Sequence, residues 1–180
     1  MEYAEGRSLE DHIKNVSGLI VEENICSFFE PLLDAFDYAH KHHIIHKDIK
    51  PSNIIITTEG TPKILDFGIA ALLDEGNDSE DKDVIMGTPS YMSPEQIKGE
   101  NLDQRSDIYS LGVLLHQMLT GNPPYDTTTL TEHEIYKHVM EDELPRMKTY
   151  YKYVSDKVQA IVDKATSKKK EMRYQSCQDF

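Results

Sequence analysis

The stretch His46-Lys47-Asp48-Ile49-Lys50-Pro51-Ser52-Asn53 is followed, 18 residues after Asp48, by Asp66-Phe67-Gly68, and together they gather groups able to act on a phosphate. Asp48 is the candidate to accept or orient the hydroxyl of an incoming nucleophile, and the Lys50 ammonium can pair with a phosphate oxygen. Asn53 and Asp66 offer the hard oxygens that magnesium prefers. Phosphoryl transfer asks for this kind of positioning and charge neutralisation, with little covalent help. Two other readings compete. Asp and Asn are common turn and cap residues. His40, His42, His43 and His46 with Asp48 could instead hold zinc or nickel, although a three-ligand geometry across a helix end is not evident. Without a metal, His40, His42 and His43 are expected in solvent at a helix end, where the dipole favours them.

The elements that must position these residues are legible around them. Leu9 to Ile20 reads as a short helix. Glu23 to about His43 repeats apolar residues at three- and four-residue spacing, the mark of a helix with one core-facing side. Ile54-Ile55-Ile56-Thr57 and Lys63-Ile64-Leu65-Asp66, joined by Glu59-Gly60-Thr61-Pro62, predict a β-hairpin with Asn53 and Asp66 at its two ends. Glu95 to Ile97 predicts a short helical turn. Asp107 to Thr120 is apolar nearly all round, as a helix in the centre of a domain would be, and Gly121-Asn122-Pro123-Pro124 stops it. Two more helices are expected at Glu132 to Glu141 and Asp156 to Ala165. No repeat or linker interrupts the chain, so one mainly helical domain with one small hairpin is expected.

Composition narrows the function classes. The 180 residues carry 19 Lys and Arg against 32 Asp and Glu, a net charge of −13 that argues against a nucleic-acid or anionic-membrane surface. Cys26 and Cys177 lie far apart without a C-x-x-C partner, which fits a reducing compartment and a cytoplasmic location. No signal peptide and no run of about 18 apolar residues is present, so no membrane segment is expected in this chain.

With Gly87-Thr88-Pro89-Ser90-Tyr91-Met92-Ser93-Pro94-Glu95 added, the chain resembles the eukaryotic-type Ser/Thr protein kinase family. The likeness is to the H-R-D-x-K-x-x-N loop, the D-F-G motif and the G-T-x-x-Y-M-x-P-E segment, in order and at the family's spacings. Asp107 in the buried helix and Arg173 near the end add to it, and the phrase around Gly87 to Gly112 is nearer to bacterial members than to animal ones. The resemblance implies a mainly α fold: a protein-kinase-like C-terminal lobe with a small β-hairpin (α+β), the hinge at 1–8, the lobe at 9–180 and the N-terminal lobe absent. It implies ATP and Mg2+ as cofactors and a protein substrate presenting Ser or Thr, no nucleic-acid partner, and association through the exposed lobe interface around Met1, Leu9 and Ile55.

The same resemblance assigns roles. Asp48 becomes the catalytic base, Lys50 the partner of the γ-phosphate and a mark of Ser/Thr specificity, Asn53 and Asp66 the metal ligands, and Thr88 a hydroxyl touching Asp48 and Lys50. Met1 takes the gatekeeper position, and backbone groups of Glu2 and Ala4 meet adenine. Ile55 is the floor beneath it, with Leu9, Ile54, Ile56, Leu114 and Met118 stacked underneath. Glu95 and Arg173 form a buried ion pair. Three departures stand out. Lys47 replaces an arginine and offers a point charge instead of a fork. Lys169-Lys170 replaces Asp-Pro, which questions the turn before Arg173. The loop Asp74 to Asp83 holds six acids and one base, with Ser79 its only hydroxyl, so weak control by phosphorylation there is expected. The alternative reading is a catalytically incompetent kinase-like lobe that binds proteins. A small-molecule phosphotransferase would share Asp48 and Asn53 but would leave Gly87 to Glu95 unexplained.

Overall fold

The computed structural model describes residues 5–17, 22–65 and 88–180. The long helix α2, Glu22–Lys41, follows α1, Leu9–His12, and the π-helical turn Ile13–Ser17. Acids in its first turn and His40 and Lys41 in its last complement the helix dipole. It ends in a Schellman motif: His43 takes a left-handed φ of 59°, its N–H reaches the His40 carbonyl, and the Ile44 N–H reaches that of Ala39. The chain then enters the His46–Asn53 loop, closed by a 3-10 turn at Pro51–Asn53.

The sheet has three antiparallel strands in the order β1-β2-β3, where a two-stranded hairpin was expected. Gly6–Ser8 forms β1, the β-branched run Ile54–Thr57 forms β2, and Pro62–Ile64 forms β3. In register, Ser8 faces Ile55, and Ile55 faces Lys63. A Cβ at Gly6 would lie 2.2 Å from the Ile56 carbonyl oxygen, so the close approach of β1 to β2 requires glycine there. Side chains alternate across β2: Ile54 is buried in the core and Ile56 packs against it, while Ile55 is only half-buried.

The short α3, Pro94–Ile97, precedes α4, Gln104–Thr120, whose residues from Ser106 to Thr120 are all buried. Asp103 caps its start, and Gly121, left-handed at φ 73°, caps its end through an N–H to the Gln117 carbonyl. Next come α5, Glu132–Glu141, and α6, Asp156–Ala165. Gly112 of α4 lets α6 approach: a Cβ there would sit 2.8 Å from the Ala165 Cβ and the Thr166 Cγ2. The Ser155 N–H ahead of α6 donates to Glu22 of α2 at 2.8 Å.

Leu9, Ile54, Leu114 and Met118 share one core with Phe36, Leu32 and Ile108. Leu9 is therefore not the exposed interface residue expected of it; it is fully buried in the core, with α1 packed against β1, β2 and the turn Pro51–Asn53. Met1 lies outside the described residues. Cys26 is exposed and Cys177 buried, both as free thiols.

Candidate active site

The His46–Asn53 loop is held from beneath by one buried carboxylate. Asp107, in the first turn of α4 and 1% exposed, accepts the His46 N–H at 2.9 Å and the Lys47 N–H at 3.0 Å. A third bond reaches it from His40 Nε2 at 2.8 Å. Lys47 adopts φ 69°, and its carbonyl accepts from Gln96 Nε2 of α3 at 2.7 Å. The Asp48 N–H donates to His46 Nδ1 at 3.3 Å, which places the imidazole proton on Nε2, where it meets the Leu65 carbonyl at 3.0 Å.

On this platform Asp48, Lys50 and Asn53 converge. Lys50 Nζ is 2.8 Å from Asp48 Oδ2, with the two side chains 25% and 35% exposed, so a substrate can reach both. The Asn53 amide donates to the Asp48 carbonyl at 2.8 Å and to Asp48 Oδ2 at 3.0 Å. Both amide hydrogens are thus spent on Asp48, and Oδ1 is left as an oxygen donor suited to a hard cation. Leu65 ties the end of β3 to the loop, giving its N–H to the Asn53 carbonyl at 2.8 Å. Asp66, Glu2 and Ala4 lie outside the described residues, as does Ser79 with the acidic loop.

Thr88 is half-buried; its carbonyl accepts from the Tyr91 N–H, and its hydroxyl makes no hydrogen bond to Asp48 or Lys50. Glu95 and Arg173 meet as expected, and all five guanidinium donors are used. Two go to the Glu95 oxygens at 2.7 and 2.8 Å, and the others to the carbonyls of Arg105, Ser167 and Lys168. Burial alone would raise the Glu95 pKa, but the hydrogen bonds and charge of Arg173 outweigh it and leave the carboxyl below its ordinary value of 4.5. The turn questioned by Lys169-Lys170 forms, as a 3-10 turn at Lys170–Met172, with Lys170 Nζ on the Asn101 carbonyl at 3.1 Å.

Two residues of the site were not anticipated. His40, expected in solvent, is turned inward: its side chain is 7% exposed, because Asp107 lies across from the helix end, and Cys177 Sγ is 3.6 Å from its other nitrogen. Gln96 follows the recognisable Ser93-Pro94-Glu95 run, and its reach to Lys47 spans 49 residues that no local pattern connects.

The buried carboxylate under the loop, the Asp48-Lys50-Asn53 cluster and the Glu95–Arg173 pair belong together in one class. Residues 1–179 match the family model described as the protein kinase domain, and the chain belongs to that family. Among its relatives are serine/threonine-protein kinase PknB of Mycolicibacterium smegmatis, 39% identical over 183 residues, and a probable serine/threonine-protein kinase PknB of Bifidobacterium longum, 39% identical over 181. Each match covers all of this chain, which spans 28% and 26% of those two proteins. The crystal structure of the Mycobacterium tuberculosis PknI kinase domain shares the fold at a TM-score of 0.75 and 21% identity, covering 99% of this chain and 60% of that one.

Proposed function

We propose that this chain is the C-terminal lobe of a Ser/Thr protein kinase, with the hinge at 1–8 and the lobe at 9–180, and that in the intact enzyme this lobe serves transfer of the γ-phosphate of ATP to Ser or Thr hydroxyls of proteins. The observation that carries the reading is the Asp48 carboxylate, shared by Lys50 and Asn53 and still open to a substrate. Asp48 orients the incoming hydroxyl and takes its proton as the oxygen bonds to the γ-phosphorus and the bond to the ADP oxygen breaks. Lys50 neutralises charge on the transferred group. Asn53 Oδ1 and Asp66 would hold magnesium, which neutralises phosphate charge when bound. Ile55 would be the floor for adenine, and Glu2 and Ala4 its edge; Thr88 would turn its hydroxyl to Asp48 once substrate is present.

Among the described residues no helix is long and apolar enough to cross a membrane. A second reading is a kinase-like module that binds proteins without transferring phosphate, which the same fold and family accommodate. The test is transfer of labelled γ-phosphate to a Ser/Thr peptide by this chain and by the chain fused behind a kinase N-terminal lobe. Asp48→Asn in the fused form should lower transfer about a hundredfold or more with nucleotide binding retained. Equal transfer by that variant overturns the assignment of Asp48, and no transfer by the fused wild type favours the binding module.

A further inference from the structure

We propose that Gln96 is a positioning residue for Asp48, a role that rests on Asp48 being the residue that handles the substrate hydroxyl. Both ends of its carboxamide are committed. Oε1 accepts the Ser93 N–H at 2.9 Å and the Ser93 hydroxyl at 3.1 Å, completing the capping box of α3, and Nε2 donates to the Lys47 carbonyl at 2.7 Å.

The Lys47 carbonyl belongs to the peptide unit whose other end is the Asp48 N–H. That N–H is held by His46 Nδ1, so Gln96 and His46 fix one peptide plane from its two sides. The plane sets the direction in which the Asp48 side chain leaves the backbone. It also follows a residue at φ 69°, a conformation that a lysine adopts only when its surroundings hold it there. Asp107 holds the amide side of Lys47, and Gln96 holds the carbonyl side. α3 is a firm reference for this, because Glu95, the residue before Gln96, is pinned to Arg173.

The residue type carries the argument further. A capping box is satisfied equally by Glu or Gln at this position. Only the amide can accept from Ser93 and at the same time donate to a carbonyl, so glutamine answers two demands where glutamate answers one.

Two variants separate these demands. Gln96→Glu keeps the cap and removes the donor, whereas Ser93→Ala removes the cap hydroxyl and keeps the donor. In the 180-residue chain, the Asp48 amide nitrogen resonance should move in Gln96→Glu and stay in Ser93→Ala. The thermal midpoint should show the reverse order, falling in Ser93→Ala. In the chain fused behind a kinase N-terminal lobe, Gln96→Glu should lower kcat about tenfold with the peptide KM little changed, the mark of a misdirected catalytic group. An unmoved Asp48 resonance in Gln96→Glu, or a kcat loss of equal size in Ser93→Ala, would overturn the proposal. If the fused wild type transfers no phosphate, the functional reading fails and the catalytic role of Gln96 fails with it. That outcome is told apart from failure of the clamp itself because the Asp48 resonance would still move.

Discussion

Glu95 and Arg173, 78 residues apart in sequence, meet in a two-pronged ion pair with side chains 4% and 0% exposed. Ser106 gives its hydroxyl to Glu95 at 2.7 Å, and the guanidinium lies 5.0 Å from the centre of the Tyr109 ring. The pair ties α3 to α4 and to the turn before Arg173. Removing one partner strands the other charge in a dry site, so Arg173→Met should cost about 3–5 kcal/mol in urea unfolding. Adding Glu95→Leu should recover only part of that, since the carbonyls of Arg105, Ser167 and Lys168 remain without their donor.

Asp107 supplies the second test. It is one acceptor for three donors, and Asn in its place offers a single oxygen and sets an amide hydrogen against a backbone N–H. Asp107→Asn should therefore lower stability by about 1–3 kcal/mol, the cost of a buried donor left unmet. Hydrogen exchange at the His46 and Lys47 amides should speed up more than exchange in the middle of α6. Equal slowing or quickening everywhere would mean that Asp107 stabilises the domain without holding the loop in particular.

What the residues alone made legible was what is local, whereas the Glu95–Arg173 pair, 78 residues apart, was legible only through the family resemblance. Asp48, Lys50 and Asn53 lie within six residues and are joined by an ion pair and hydrogen bonds, and the Ile54–Thr57 run, with Gly60 in the turn, announced the pair β2-β3. The bounds of α5 and α6 follow from Thr131 and Ser155, cap residues with local partners. The strand Gly6–Ser8 was hidden, because three residues with no alternating pattern become a strand only when β2 pairs with them. His40 was misplaced for the same reason: its helix end looks like a solvated one until Asp107, 67 residues away, is set beside it. Leu9 looked like interface and is core, since its cover comes from residues far along the chain.

Gly112 sets two effects of opposite sign against each other. In the interior of a helix, Gly→Ala alone should stabilise by about 1 kcal/mol. Here the added methyl would come within 2.8 Å of both the Ala165 Cβ and the Thr166 Cγ2, and overpacking of this kind costs about 1–3 kcal/mol. Gly112→Ala should therefore lower the thermal midpoint. Gly112→Ala with Ala165→Gly should regain part of the loss, because one of the two close approaches disappears. A raised midpoint in the single variant would show that α4 and α6 separate easily.

His116 gives the domain a pH dependence of known sign. It is fully buried in α4, its Nε2 lies 2.9 Å from the Pro145 carbonyl, and Nδ1 has no hydrogen-bond partner among the described residues. Burial disfavours the imidazolium and lowers the pKa from its ordinary 6.5; the Pro145 carbonyl and the charge of Asp163 oppose this without reversing it. The unfolded chain therefore takes up this proton before the folded one does. The stability associated with neutral His116 is complete above pH 6.5 and is lost as the pH falls through the lower folded value. Glu95 acts in the same direction but below its ordinary 4.5, so the two windows separate on a titration. His116→Gln keeps a donor for Pro145 and removes the titration. Urea unfolding at pH 7.5 and at pH 5 should show a smaller loss on acidification in His116→Gln than in the wild type. Equal losses would mean that His116 is protonated as readily in the folded chain as in the unfolded one, and that the acid sensitivity near pH 6 belongs to another histidine.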